Sequence, residues 1–506
     1  MIEFQLDIYQ FYFKISKFTE SIYRTLIHRL NRASTQMGYI HRGRDTAFGV
    51  VKVYNVYCKP DQEIRYHISL LDTVRSYLRE YSIDPSRYKV NKHPPTPVKD
   101  IDVPVKSGWT PRDYQVPVID YITQEGALKF VGLGTGLGKT SVSLMAISKI
   151  GLRTLILIKP TYLEKWYFDV TNVLDVPSER INVIKGGTAL QSLIELNKIS
   201  QDDSDFIIMS ISTFHNYMST YEKYGKEIRE LGYGCLPEDF FELCKIGVVL
   251  IDEIHQLFHQ QSTAMLYMNC EKVIALSATL FSKDKYQEEM YSLVIPKEIR
   301  YKETLNEKYI YVTAISYSFH KPDKIRCTEF NSNMYSHSAY EKSIMRNPTV
   351  LNNYLNMIAD QVYNGYIKRY QKGDKCLVFA GTVKMCVLIR DRLREKYPDY
   401  SIEKYTQEDP YENAIEPDIR VSTSLSISTG IDIPGLTTTI MTNRIESIQS
   451  SRQAIGRLRK INNRDVHYYY LYCEQMDKHV RVHNNSKSTL GVVAKNFSER
   501  KYWKTL

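Results

Sequence analysis

From residue 107 to about 290, short apolar runs alternate with stretches whose apolar residues recur every three or four positions. The runs cover 130–133, 154–158, 206–211, 248–251 and 273–276. Continuous apolar runs separated by amphipathic helices predict a parallel sheet covered on both faces. Residues 345–480 repeat the pattern, with runs at 376–380, 419–422, 437–441 and 466–472. The stretch between, 291–345, is polar and irregular and reads as a connection between lobes. The first 90 residues differ. Phe4, Leu6 and Ile8, then Tyr12 and Phe13, predict a strand or hairpin. Ile22, Leu26, Ile27 and Leu30 share one face of a predicted helix over 18–33. Residues 49–57 predict a strand and 68–81 a second helix. The expected class is α/β, with two parallel-sheet lobes behind a small α+β domain. The expected division is 1–90 for that domain, 91–106 for a proline-rich linker, 107–300 and 301–480 for the lobes, and 481–506 for a basic tail.

Charge sharpens this division. The net charge is +10. Residues 1–106 hold 17 Lys/Arg against 11 Asp/Glu, and 481–506 hold 6 against 1, so both ends are basic around a near-neutral middle. Phosphate backbones attract such patches. Arg24, Arg29 and Arg32 on the predicted helix, with Arg42 and Arg44 on a charged turn, are the candidate contacts. The eight cysteines include no C-x-x-C pair, which argues against a zinc site and for a reducing compartment. No apolar run approaches the roughly 18–20 residues of a membrane span. The start, Met1-Ile2-Glu3-Phe4, lacks the features of a signal peptide. A cytoplasmic location is expected, that of a host if the chain is viral. The 40 tyrosines are spread along the whole chain and read as a compositional habit.

The chemistry begins at Leu133-Gly134-Thr135-Gly136-Leu137-Gly138-Lys139-Thr140, after a predicted strand and at the start of a helix. Glycines let backbone N–H groups approach phosphates, and a helix N-terminus adds its positive dipole end. Lys139 then reaches the β and γ phosphates of ATP, and Thr140 ligates Mg²⁺. The first position of this loop pattern is ordinarily glycine and here is Leu133. A second strand ends in Asp252-Glu253-Ile254-His255. Asp252 is placed to hold the Mg²⁺ shell, and Glu253 to orient and deprotonate the attacking water. Ser277-Ala278-Thr279 follows the next strand as a link toward the other lobe. Arg457, in Gln453-Ala454-Ile455-Gly456-Arg457, is placed as an arginine finger.

This ordered set resembles the DExH-type helicases of superfamily 2, which implies RecA-like lobes. The resemblance covers about 110–475 and brings further stations. It makes Gln115, preceded by Arg112, the adenine contact, and Lys159-Pro160-Thr161 and Ser212-Thr213 nucleic-acid or phosphate-contacting motifs. It places motif IV at Val378-Phe379-Ala380 and motif V at Ser428-Thr429-Gly430-Ile431-Asp432. The set implies nucleotide contacts from Gly134, Thr135, Gly136, Gly138, Lys139, Thr140, Gly430, Asp432, Arg457 and Lys460, with His255 beside the catalytic pair. Thr161, Thr213 and Thr429 are the implied nucleic-acid contacts in the lobes. In the last motif the family has a second arginine three residues after the first. Here Lys460 holds that place and Arg459 precedes it, so the second phosphate contact stays open between them. Within the superfamily the layout resembles the phage UvsW type of recombination helicase, and poxvirus-type DNA helicases are similar in length and motif V.

The resemblance implies an ATP- and Mg²⁺-dependent DNA helicase or translocase. It would remodel forked or branched DNA and act on duplex and single strands, in replication, recombination or repair and beside proteins of those processes. The alternatives are an RNA helicase or transcript-release factor, the motor of a restriction or packaging machine, and a non-enzymatic ATP-binding scaffold. The sequence shows no nuclease carboxylate–lysine cluster outside the lobes, and the scaffold reading conflicts with Lys139, Glu253 and Arg457 all being in place. Because every catalytic residue lies beyond Gln115, removing 1–90 is expected to leave two complete lobes.

Overall fold

The structure is a computed structural model. It describes the chain except residues 1, 34, 43–44, 53–54, 96–97, 134–136, 278–284, 303–307, 329–334, 407–408, 411, 424–425, 427–432, 444–457, 459–463 and 492–493. The chain divides into two compact units, Met1–Glu303 and Thr304–Leu506.

The first unit opens with β1 (Phe4–Ile8) and β2 (Tyr12–Ser16), the expected hairpin. With β5 (Asn55–Cys58), β6 (Glu63–His67) and β7 (Tyr88–Lys92) they form a five-stranded sheet, order β5-β6-β2-β1-β7. The helical stretch from Glu20 to Ala33 buries Ile22, Leu26, Ile27 and Leu30, as their spacing predicts, and takes a π-helical turn at Tyr23–Ile27. The single strand expected over 49–57 is two strands in different sheets. β4 (Asp45–Lys52) pairs with β3 (Thr35–Arg42) in a two-stranded sheet, while β5 joins the larger one. The run holds no proline, so nothing local marks the change of partner.

A seven-stranded, all-parallel sheet follows. Its strands are β8 (Leu128–Gly132), β9 (Thr154–Ile158), β10 (Ile181–Ile184), β11 (Phe206–Ser210), β12 (Val248–Ile251), β13 (Lys272–Leu276) and β14 (Arg300–Lys302). Their order is β10-β11-β9-β12-β13-β8-β14. The five central strands are those whose apolar runs predict them. The edge strands β10 and β14 are short, and their sequences carry no continuous apolar signal. Residues 91–106 are more than a linker. Asp100 bridges Leu152, Val105 bridges Leu174, and Ile101 and Val103 are buried against the lobe.

The five-stranded sheet shares one hydrophobic core with this lobe, from Phe13, Ile15 and Val56 through to Leu155, Met209 and Tyr217. A buried charge cluster pins the junction. Arg65, 1% exposed, pairs with Glu238 at 2.6 Å and Glu63 at 3.5 Å. Lys14 reaches Glu238 at 3.1 Å, and the Tyr221 hydroxyl donates to Glu63 at 3.0 Å. The Arg65 guanidinium lies over the Tyr267 ring at 4.5 Å. Burial pushes the Glu238 carboxyl up, but Arg65 and Lys14 outweigh it and hold its pKa at about 2.

The second unit is another seven-stranded parallel sheet, order β17-β18-β16-β19-β20-β15-β21. Its strands are β15 (Ile310–Tyr317), β16 (Lys375–Ala380), β17 (Ile402–Tyr405), β18 (Ile419–Thr423), β19 (Leu436–Met441), β20 (Val466–Cys473) and β21 (Asn496–Lys501). Two expectations change here. The stretch 291–345, read as irregular, contains β15, which lies between β20 and β21. Residues 481–506, read as a basic tail, complete the helix Asp477–Gly491 and supply the edge strand β21. β21 exposes most of its residues, so its sequence reads as polar although its backbone is paired. Among the described residues, no helix is long and apolar enough to cross a membrane.

Candidate nucleotide site

In a parallel sheet, side chains at the carboxyl ends of neighbouring strands converge on one rim. β8 ends at Gly132, and the helix Lys139–Ile150 begins beyond it. The loop glycines Gly134 and Gly136, with Thr135, lie outside the described residues, but both flanks are placed. Gly138 caps the helix at φ +80°, the left-handed region that favours glycine. A Cβ there would sit 2.4 Å from Gln115 Nε2 and 2.9 Å from Ser141 Oγ. Lys139 and Thr140 open the helix, whose first N–H groups have no intrahelical acceptor. Lys139 Nζ lies 3.4 Å from the Leu133 carbonyl and 3.7 Å from Glu253 Oε1.

Gln115, 6% exposed, is fixed at both ends of its amide. Its Oε1 accepts the Arg112 N–H at 3.0 Å, and its Nε2 donates to the Leu137 carbonyl at 3.0 Å. Arg112 in turn donates to the Tyr114 hydroxyl at 3.1 Å. The segment read as the adenine contact is therefore tied directly to the loop read as phosphate-binding. One hydrogen-bonding position remains on each end of the amide for a base edge.

The acidic pair follows β12, which has β9 and β13 as neighbours. Asp252 Oδ1 accepts the Glu253 amide at 2.9 Å, and Oδ2 accepts the Trp166 indole N–H at 3.0 Å. Loss of solvent and the neighbouring Glu253 raise the Asp252 pKa, partly offset by Lys139 and Lys165. The Asp252 carboxylate after β12 and the hydroxyl of Thr140 at the start of the helix after β8 are hard oxygen donors of the kind Mg²⁺ takes. Glu253 has φ +48°, a conformation that costs a non-glycine residue about 1–2 kcal/mol and concentrates at functional sites. His255 Nδ1 lies 2.7 Å from Ser277 Oγ and 3.2 Å from Glu253 Oε2. Burial, helped by Lys139, lowers its pKa to about 4, so the ring is neutral at pH 7. Burial lowers the pKa of Lys159 as well, while Glu253 pulls it back up.

The remaining candidates divide. Thr161 is exposed on a turn at the end of β9. Thr213 is buried, and its hydroxyl accepts the Gly186 N–H at 2.8 Å, an internal role. Arg24 pairs with Glu20 at 2.8 Å, and Arg29 pairs with Glu80 beneath the rings of Tyr77 and Tyr81. Arg32 is exposed. Arg42 ends β3 opposite Asp45, and Arg44 lies outside the described residues. So do Thr429, Gly430, Asp432, Arg457, Arg459 and Lys460. Val378, Phe379 and Ala380, read as motif IV, close β16. The next turn is held by the fully buried Glu341, which accepts the Gly381 N–H and the Thr382 hydroxyl, each at 2.7 Å. Sequence reasoning missed Trp166 and Glu341. Each sits at helical spacing among core residues, which marks burial and not role.

Residues 109–282 match the family model for the type III restriction enzyme, res subunit. The DNA repair helicase/translocase XPB-R of Trypanosoma brucei brucei is 25% identical over 232 residues, 40% of this chain and 30% of that protein. The DNA 3'-5' helicase XPB of Mycobacterium tuberculosis is 27% identical over 192 residues, 38% of this chain and 30% of that protein. The chain thus spans less than a third of the length of these curated relatives. Among solved structures, S. cerevisiae Dbp5 bound to Gle1 and IP6 superposes with a TM-score of 0.50 at 10% identity, covering 78% of this chain and 90% of that one, a likeness of fold. Over less than half of its length the chain is thus similar in sequence to named DNA helicases, and its first lobe to the restriction-enzyme res subunit.

Proposed function

We propose that this chain is a DNA-stimulated ATPase that translocates along DNA and remodels forked or branched substrates. The observation that carries the reading is the convergence of Lys139, Asp252 and Glu253 at one sheet rim, with Lys139 3.7 Å from Glu253. In this reading Lys139 draws the phosphate charge, and Glu253 accepts a proton from the attacking water. Asp252 and Thr140 would hold Mg²⁺, which supplies positive charge at the phosphates when bound. His255, neutral and bonded to Ser277, lies beside the Glu253 carboxylate. Gln115 with Arg112 would read the adenine edge. Arg457, either Arg459 or Lys460, Gly430 and Asp432 are the further nucleotide contacts of this reading. The DNA preference draws on the matched relatives, whose names describe DNA helicases, and on the basic ends of the chain.

The test is the ATPase rate of the full chain against duplex, single-stranded, forked and four-way DNA and matched RNA. Forked and four-way DNA should stimulate most. Equal or greater stimulation by RNA would replace this reading with an RNA helicase. A rate unmoved by any nucleic acid would remove the motor reading altogether.

A further inference from the structure

The helix Leu163–Val173 follows β9, and Leu163, Trp166, Val170 and Val173 form its buried face. That spacing accounts for the burial of the Trp166 ring. It does not account for where the polar edge of the ring points. An indole is a donor with no acceptor capacity. The Trp166 Nε1–H, on a side chain with 0% exposure, donates to Asp252 Oδ2 at 3.0 Å. The other carboxylate oxygen already accepts the Glu253 amide at 2.9 Å. Each Asp252 oxygen is thus held by its own N–H donor. One donor comes from the chain that follows the aspartate, and the other from the helix after the adjacent strand. Register makes this reach systematic. Ile251 pairs with Leu157, so Asp252 and the turn leading into the Trp166 helix leave the sheet side by side. The terminal torsion of an aspartate is broad and roughly two-fold. Two fixed donors narrow it to one setting.

We propose that Trp166 is a positioning residue for Asp252, holding the carboxylate in the orientation that presents its remaining lone pairs to the cation of a bound nucleotide. This rests on the reading of Asp252 as the cation-holding carboxylate. Groups that orient a metal-binding carboxylate through a hydrogen bond change metal affinity or activity about 10- to 100-fold when removed.

The experiment uses the full chain labelled with ¹⁵N-tryptophan, whose three indoles are Trp109, Trp166 and Trp503. Trp166→Phe assigns the signal. Asp252→Asn should then move the Trp166 indole resonance and leave those of Trp109 and Trp503 in place. An unmoved Trp166 signal would overturn the bond itself. Binding of a fluorescent ATP analogue supplies the second readout. In EDTA, Trp166→Phe should bind it as the parent does. The Mg²⁺ concentration needed for half-maximal tightening should rise about 10- to 100-fold. A parental Mg²⁺ midpoint with only a lowered thermal midpoint would make Trp166 a core residue and nothing more. Should the phenylalanine variant fail to fold, β-(3-benzothienyl)alanine at 166 replaces N–H by sulfur in the same ring shape and takes the same titration. If Asp252→Asn itself leaves the Mg²⁺ dependence unchanged, the nucleotide-site reading fails. The indole shift would still report whether the bond exists.

Discussion

At Gly138 a methyl group would collide with an amide that has nowhere to go, because Gln115 is bonded to Arg112 N and Leu137 O. Gly138→Ala is therefore expected to displace Gln115 as well as strain the backbone. Stability should fall by about 1–2 kcal/mol from the left-handed φ alone, read by urea unfolding. ATP affinity should fall with it, and a variant unchanged in both would refute the packing argument. The neighbouring charges separate by role. Lys139→Ala should lower turnover at least about 100-fold with the fold intact, since it removes a charge aimed at the phosphates. Glu253→Gln should slow turnover about 10²- to 10⁴-fold while ATP still binds, because the base is lost and the shape kept. A Glu253→Gln protein that no longer binds ATP would make Glu253 a structural residue.

At the scale of an element, β6 carries a pH response. His67 ends the strand, 3% exposed, and its Nδ1 accepts the Ser69 amide, so it caps the turn only when neutral. Burial lowers its pKa from 6.5 to about 4. Above pH 6.5 neither the folded nor the unfolded chain protonates this ring. Below it the unfolded chain takes up the proton first, so stability falls as pH drops from 6.5 toward 4. His255 titrates over the same window. Urea midpoints measured from pH 7 to 4 should decline in the parent and decline less in His67→Asn, which keeps a capping acceptor without the titration. An identical slope in the variant would exclude His67 as a source.

The whole molecule does not divide where its sequence suggests. Arg65 from the N-terminal sheet and Glu238 from the first parallel-sheet lobe form one buried cluster, inside one shared core. Arg65→Ala should cost about 3–5 kcal/mol, because it leaves the buried Glu238 carboxylate without its guanidinium. Removing the first 90 residues would strip the same partner and uncover Tyr221 and Tyr267. The truncated chain is therefore expected to lose its cooperative unfolding transition, where the sequence alone suggested two intact lobes. A truncated chain that unfolds at the parent's urea midpoint would show that the lobe is self-sufficient. The N-terminal arginines are better tested by substitution. For each arginine that neutralises a phosphate, its replacement by alanine should reduce the slope of log K against log salt by about 0.9 on duplex DNA.

The sequence by itself determined the central strands and singled out Lys139, Asp252 and Glu253. A buried parallel strand must be continuously apolar, and a phosphate loop must carry glycine, lysine and a hydroxyl in fixed order, so both are written locally. β8, β9, β11, β12 and β13 followed from that, as did the placing of Lys139, Asp252 and Glu253 on one rim. The tertiary structure alone decided what depends on partners distant in the chain. β15 and β21 carry mixed or polar sequences, and they are strands because β20 and β15 offer them open edges. Arg65 is a surface arginine by composition and a buried one because Glu238 folds over it. Trp166 is a core tryptophan by spacing. It bonds to Asp252 because two strands far apart in sequence end side by side.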